Sequence, residues 1–508
     1  MYSFLSALLT PYTAISITFL IILKEFYFSR RTNAPKCPKL AFPIVGHAPY
    51  VQFKRFHRQL TEWGNNFKKT GIYQINIFGE TSVVVSSYEA IKEVLITKSD
   101  ELGGRAKLLR TSLTTRGGKD VAFDNFGHRF IQKKKLLMKS IKVHDQKNIE
   151  LEQVTLDVLE DYSRRVLDKN EIIDFHEFSI NLMFDIIMAI LVGHRVNIHD
   201  QRLQELKESY ATINKCFLNQ KLAIYDLFPW LTYFYQSKEY KEMKQAIKNR
   251  DANLSSFLKE VREEQLGNIL GEQGLYDKFL QEQRKQERDN KLDDDECFML
   301  AMETILAGYT TSSVSIMMIF ALLMKHPRVL NKLINEIETT MGFNEPINYL
   351  KKNNMPYLEA TIWESLRFIR HVNPIPHSAM IDSTIQGYFI KKGTQIIINT
   401  RDLHHNEELW GDPSNFRPER FFREDGTLMA PDEGCRKYLF VFGGGRRVCP
   451  GKGLAQQRMF ITIIYLLQRY KFEYVKDLND ENYIYNSNEW DFDIVLHPDQ
   501  FFVKVSRR

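Results

Sequence analysis

The chain has 508 residues, 44% of them hydrophobic and 26% charged, with only 25 Gly and 16 Pro. That composition excludes collagen, low-complexity repeats and intrinsic disorder, and a chain of this size can withdraw about three quarters of its unfolded surface from water. The formal charge of +6 is modest and dispersed, which argues against a dedicated nucleic-acid binder.

From Tyr2 to Leu23 run 22 residues without a formal charge, followed by Lys24, Glu25, Arg30 and Arg31. Such a run spans a bilayer, is too long for the apolar part of a cleaved signal peptide, and has its cations on the C-terminal flank. A single N-terminal membrane anchor over 1–23 is therefore expected, with the remainder in the cytoplasm. Pro35, Pro38 and Pro43 make 24–46 a basic, proline-rich hinge. Residues 47–508 are read as one catalytic domain. Cys37, Cys216, Cys297, Cys435 and Cys449 are widely spaced without a CxxC pair, so neither a disulfide framework nor a structural zinc is expected.

Past the hinge, Ile72–Ile77 alternates apolar and polar residues, Gly79 interrupts, and Thr81–Ser86 is β-branched: a hairpin. Afterwards helical periodicity dominates, over 88–102, 146–168, 172–192, 200–218, 236–265, 297–325, 328–341 and 356–370. The fold class is mainly α with a small β portion. Residues 266–296, with three glycines and a mixed-charge run, read as a solvated connection. The 21 uncharged residues 304–324 are dense in Thr and Ser in their first half, and predict a helix through a protein core rather than a second membrane span.

The residues that carry chemistry lie near the C-terminus. Phe442-Gly-Gly-Gly445-Arg-Arg447-Val-Cys449-Pro-Gly451 precedes an apolar-periodic helix over 454–470. A glycine-dense loop brings backbone close to a flat partner, and a cysteine at a helix N-terminus is biased toward thiolate, a soft metal ligand. The other four cysteines read as inert thiols.

Phe442, Gly445, Arg447, Cys449 and Gly451 match the haem-binding loop of the cytochrome P450 superfamily, which this sequence resembles over nearly its whole length. The resemblance implies the P450 fold, haem b (iron protoporphyrin IX) as cofactor and Cys449 as the axial ligand of its iron, with Arg447 on a propionate and Phe442 beside the sulfur. A thiolate ligand pushes electron density onto iron and favours O–O cleavage. Glu364-Ser-Leu-Arg367 and Pro418-Glu-Arg-Phe421 look like two further family elements, which would join Glu364, Arg367 and Arg420 in a buried structural network. Ala307-Gly308-Tyr309-Thr310-Thr311-Ser312 resembles the oxygen-activation motif. There Thr311 would hydrogen-bond dioxygen or the water that protonates it, and Gly308 would admit a distal ligand. Thr310 stands where the family commonly has an acid, so another route must deliver protons. Phe130-Ile-Gln-Lys-Lys134 replaces a Trp-x-x-x-Arg element, which places Lys134 near a propionate. His377, after Pro374-Ile-Pro376, matches a propionate-contacting position of the microsomal branch.

Gly393–Asn399, Leu403–Glu407 and Asp120–Phe123 look most like the steroid 17-hydroxylase-like, drug-metabolising neighbourhood, which implies a steroid-like or other lipophilic substrate. Its pocket is expected from Arg105–Asp120, Phe217–Trp230 and Asn373–Met380, and Tyr225–Leu231 is also expected to reach the bilayer. The resemblance further implies insertion of one atom of O₂, NADPH acting only through a separate flavoprotein reductase, cytochrome b5 as a further candidate partner, and the endoplasmic reticulum membrane as location. Lys133, Lys134, Lys135, Lys139 and Lys142, with Arg436, Lys437, Lys452 and Arg458 around the cysteine loop, read as the face that docks the reductase. Two alternatives stay open: a haem-thiolate isomerase or dehydratase acting on lipid peroxides without O₂, and a non-catalytic haem-binding sensor.

Overall fold

The computed structural model describes residues 16, 33–146, 148–197, 199–217, 219–267, 274–287, 291–372, 376–487, 489–490 and 495–508. The expected anchor over 1–23 and the hinge up to residue 32 lie outside them, apart from Ser16, as do Asn373, Pro374 and Ile375 of one expected pocket segment. In chain order the strands are β1 Ile72–Ile77, β2 Glu80–Val85, β3 Ile172–Asp174, β4 His377–Ser378, β5 Ser383–Ile385, β6 Tyr388–Ile390, β7 Gln395–Ile398, β8 Tyr470–Tyr474 and β9 Phe502–Arg507. Helices account for most of the rest. The chain divides into two compact units.

The smaller unit draws its described residues from Met1–Ala106, Pro374–Asp402 and Gly444–Arg447. The predicted hairpin is there: β1 and β2 pair antiparallel from Ile72↔Val85 to Ile77↔Glu80. Phe78 and Gly79 both take positive φ in the turn, the mirror-image conformation that matches strand twist. The sheet continues β1-β2-β7-β4, with β7 parallel to β2 and antiparallel to β4. Leu60 and Trp63 of the helix Phe56–Gly64 pack with Tyr73, Ile75 and Val84 as its core. The described part of the hinge is tied to this unit, since Gln74 N–H donates to the Lys36 carbonyl (3.0 Å) and Phe389 N–H to that of Asn33 (2.8 Å).

The larger unit contains Lys107–Asn373, Leu403–Gly443 and Val448–Arg508. Its axis is the helix Asp294–Lys325, opened by a capping box in which Asp293 accepts from Glu296 N–H (2.7 Å) and Glu296 accepts from Asp293 N–H (2.8 Å). Asp294, Asp295 and Glu296 complement the positive end of its dipole. Its main partner is Phe175–Val192. These two helices are long and apolar enough to cross a membrane, yet each is mostly buried in protein, as expected for 304–324. The segment 172–192 is helical only from Phe175, because Ile172–Asp174 pairs with β9. The connection 266–296 is not wholly solvated: Leu275–Arg284 is a helix with Leu275 and Phe279 buried. Its charges masked an i, i+4 apolar pair. The helix His128–Gln146 was also outside the predicted set.

Two buried polar clusters brace this unit. Glu364 and Arg367, both without exposed surface, form a bidentate pair at 2.8 Å on the helix Pro356–Ile369. Arg420 Nε donates to Glu364 at 3.0 Å, and Arg417 N–H does so at 2.9 Å. Arg367 also donates to the carbonyls of His404 (2.8 Å) and Pro413 (2.9 Å). Burial and the Arg367 charge push the His404 imidazole down to about 3, so its Nε2 accepts from Phe440 N–H at 3.1 Å. The network thus extends to the strand of chain entering the cysteine loop.

The second cluster fixes 118–124 against the long helix. Glu303 accepts from Val121 N–H at 2.8 Å, Asp120 from Phe123 N–H at 3.0 Å, and buried Lys133 donates to Gly118 O (2.6 Å) and pairs with Asp124 (2.8 Å). Burial pushes Asp120 up to about 6 despite Lys133, while burial plus the Asp120 charge pushes Glu303 up to about 8.

Two outcomes are expected. Glu364→Gln leaves buried guanidinium charge uncompensated and should lower unfolding free energy by about 3 to 5 kcal/mol; a loss within the ~0–1 kcal/mol of an exposed pair would contradict the network's weight. Because Asp120 and Glu303 have raised folded-state values, their contribution is full below the ordinary carboxylate range and is lost as pH rises through about 6 and about 8. Glu303→Gln should therefore flatten the fall of Tm between those values in a pH series followed by circular dichroism; parallel curves would contradict it.

Candidate active site

On the long helix, residues 312–323 are buried, whereas Ala307 is exposed and Gly308, Thr310 and Thr311 keep partial exposure. A buried helix with one accessible stretch lines a recess. Hydroxyls there bond back along the helix: Thr304 to Leu300 O (2.7 Å), Thr310 to Leu306 O (2.7 Å), Thr311 to Ala307 O (2.9 Å) and Ser315 to Thr311 O (2.7 Å). Thr311 keeps its lone pairs for an outside donor, and Thr310 presents no carboxylate. A Cβ at Gly308 would lie 2.8 Å from Ile187 Cγ1 and 3.7 Å from Arg458 Nη1, so the bare backbone lets the helix pack closely there. Tyr309 is buried edge-on against Phe184.

The cysteine loop is held by its own backbone. Cys449 N–H donates to Phe442 O at 2.9 Å, Gly443 N–H to Phe440 O at 3.0 Å, and Lys134 Nζ to Val448 O at 2.9 Å. Lys134 thus touches the peptide beside Cys449, and Phe130, one helical turn earlier, is buried against Phe126. Phe442 is half-buried, with Lys452 Nζ 5.9 Å from its ring centre. Gly451 caps the helix Lys452–Arg469, and a Cβ on it would come 4.0 Å from Cys449 Sγ.

Cys449 retains accessible surface, yet enough protein surrounds its sulfur that burial raises the thiol value, against the Gly451 N–H, the Lys134 charge and the Arg458 charge. The sulfur therefore lines a recess, not open surface. The helix terminus alone does not favour the thiolate here. A bound cation would, and an accessible sulfur among cationic groups is a donor set that fits a thiolate-ligated iron. All five cysteines are free thiols.

In the smaller unit, Gly445 has φ of +57°, and a Cβ there would be 1.8 Å from Leu95 O; only glycine permits this approach. Arg447 Nε donates to Gly103 O at 2.7 Å and Arg105 Nη1 to Pro376 O at 3.2 Å. His377 is buried on β4, its Nδ1 3.1 Å from Leu102 O. Burial first, then the Arg105 and Arg447 charges, hold its imidazole neutral, well below its ordinary value. Two guanidiniums around a neutral imidazole form an electropositive corner suited to carboxylates. Arg105 was legible only as a pocket residue; nothing in its sequence context marked it as part of this corner.

The basic face is smaller than the sequence implied. Lys135, Lys139, Lys437 and Lys452 are exposed, but Lys133 and Arg458 are buried. Arg436 lies over the Trp363 ring at 3.6 Å.

The cytochrome P450 family profile matches residues 35–505. The steroid 17-alpha-hydroxylase/17,20 lyase of Mesocricetus auratus is 31% identical over 504 residues, 96% of each chain. That of Squalus acanthias is 28% identical over 519 residues, 97% of this chain and 96% of its own. A zebrafish cytochrome P450 solved with progesterone shares the fold at a TM-score of 0.75 and 24% identity, covering 89% of this chain and 99% of its own. Another, solved with abiraterone, gives 0.72 at 23% identity, with the same coverage. With one family spanning the chain from the described hinge to the last strand, the protein belongs to the cytochrome P450 family.

Proposed function

We propose that this monooxygenase is a membrane-anchored enzyme of the endoplasmic reticulum that inserts one atom of O₂ into a steroid-like lipophile, with Cys449 as the axial ligand of its haem b and electrons from NADPH delivered by a separate flavoprotein reductase. The observation that carries the reading is the presentation of Cys449: an accessible sulfur in a dense recess, its loop pinned by Phe442 and Lys134. Likeness to relatives named steroid 17-alpha-hydroxylase/17,20 lyase supports the substrate class.

Bound haem supplies an iron at which O₂ is reduced and cleaved, and a thiolate ligand favours that cleavage. The chain's own residues do the rest. Lys134 and the Gly451 N–H oppose the burial that would keep Cys449 protonated. Arg447 and His377 keep the carboxylate-binding role implied by their sequence positions, which the electropositive corner with Arg105 supports. Thr311, its own proton directed to Ala307 O, accepts a hydrogen bond from a water and so holds a proton donor on the accessible stretch of the long helix. With Thr310 in place of an acid, that water must be recharged from elsewhere.

Two features support the membrane and reductase parts. Trp230, Tyr233, Phe234 and Tyr235 are exposed around the turn Pro229–Tyr233, Tyr233 by 87%, an amphipathic aromatic cluster of the kind that sits at a lipid interface. Lys135, Lys437 and Lys452 remain free to steer an acidic partner.

In the dithionite-reduced, carbon-monoxide difference spectrum, wild type should give the thiolate-ligated signature and Cys449→Ser should lose it; an unchanged variant would overturn the assignment. Raising ionic strength from about 0.05 to 0.5 M should slow reductase-supported turnover several-fold while leaving peroxide-supported turnover unaffected, since screening weakens exposed charge pairs. Equal sensitivity of both would contradict electrostatic docking.

A further inference from the structure

Arg458 belongs to the helix Lys452–Arg469 that follows Cys449 and is only 3% exposed. A guanidinium never sheds its charge in a protein, and burying one without an anion is costly. No carboxylate pairs with Arg458 among the described residues. Its Nη2 donates to Ser312 Oγ at 3.2 Å and its Nε to Leu454 O at 3.4 Å, while Nη1 has no hydrogen-bond partner there.

Position explains what the charge faces. Helical side chains lean toward the helix N-terminus, and the Nε contact with Leu454 O, in the first turn, puts the guanidinium level with the start of the helix, where the cysteine loop ends. Its other side meets the long helix at Gly308 and Ser312, the turn that carries Thr311. Burial pushes the guanidinium down to about 10, and among the described residues Cys449 is the titratable group whose charge opposes this.

We propose that Arg458 is the buried counter-charge of the Cys449 thiolate, a positioning residue that stabilises the electron-rich state of the haem iron and ties the cysteine helix to the oxygen-side helix through Ser312. Without this cation, the thiolate would rely on Lys134 and the Gly451 N–H. The inference rests on Cys449 being the iron ligand. A cation beside the ligand stabilises whichever oxidation state carries more negative charge, so Arg458 favours ferrous over ferric.

The test is a spectroelectrochemical titration of purified holoenzyme for wild type, Arg458→Gln, Arg458→Lys and Ser312→Ala. Arg458→Gln should shift the ferric/ferrous equilibrium about tenfold toward ferric, equivalent to ~59 mV for a one-electron couple. Arg458→Lys should restore the potential, and Ser312→Ala, which keeps the charge but removes the tether, should leave it unchanged. A potential in Arg458→Gln equal to wild type, or a Ser312→Ala shift as large as that of Arg458→Gln, would overturn the proposal. Should Arg458→Gln fail to load haem, loading by Arg458→Lys supports a requirement for charge, and failure of the lysine variant as well overturns it in favour of shape. If wild type itself lacks the thiolate signature, the assignment of Cys449 fails instead.

Discussion

Removing a sulfur from bulk water favours its neutral, protonated form, and the surroundings of Cys449 are organised against that tendency. Burial, joined by the Glu303 charge, raises the thiol, while the Gly451 N–H, Lys134 and Arg458 oppose the rise. These come from different parts of the larger unit: Lys134 from the helix His128–Gln146, Arg458 from the helix after the loop, and Gly451 from the loop's own exit. The loop must therefore be held to within a hydrogen bond's tolerance while several helices are packed around it.

That tolerance comes from burying charge rather than avoiding it. Glu364, Arg367 and Arg420 have their side-chain polar atoms engaged, and the chain of contacts from Arg367 through the His404 carbonyl and ring to Phe440 N–H ends just before Phe442, where the cysteine loop begins. A half-satisfied network of this depth would be worse than an apolar core. Fully satisfied, it fixes the approach of the loop. Within the loop itself, the approach of Gly445 to Leu95 O leaves room for no side chain.

Much of this was legible in the sequence. Phe442, Gly445, Arg447, Cys449 and Gly451 form a fixed local spacing, which is readable without any tertiary contact. The long helix was readable too, because its Thr- and Ser-rich half conflicts with a lipid setting. Properties set by tertiary contact were not. Arg458 looks like a surface cation beside a basic loop, since nothing local distinguishes a buried arginine from a solvated one. The close packing of Gly308 against Ile187 from a distant helix was not readable either. The helix Leu275–Arg284 escaped because its polar residues outnumber its apolar ones, and its amphipathic face gains meaning only when packed.

The hydroxyl bonds along Asp294–Lys325 have a mechanical consequence. The carbonyls of Leu300, Leu306, Ala307 and Thr311 each accept from a side chain that competes with the main-chain ladder, and such sharing loosens and bends a helix locally. The shared carbonyls run from Leu300 to Thr311, so the ladder is weakest along the Thr- and Ser-rich part of the helix. Its trailing part, Ser312–Leu323, carries an apolar surface buried in the protein interior.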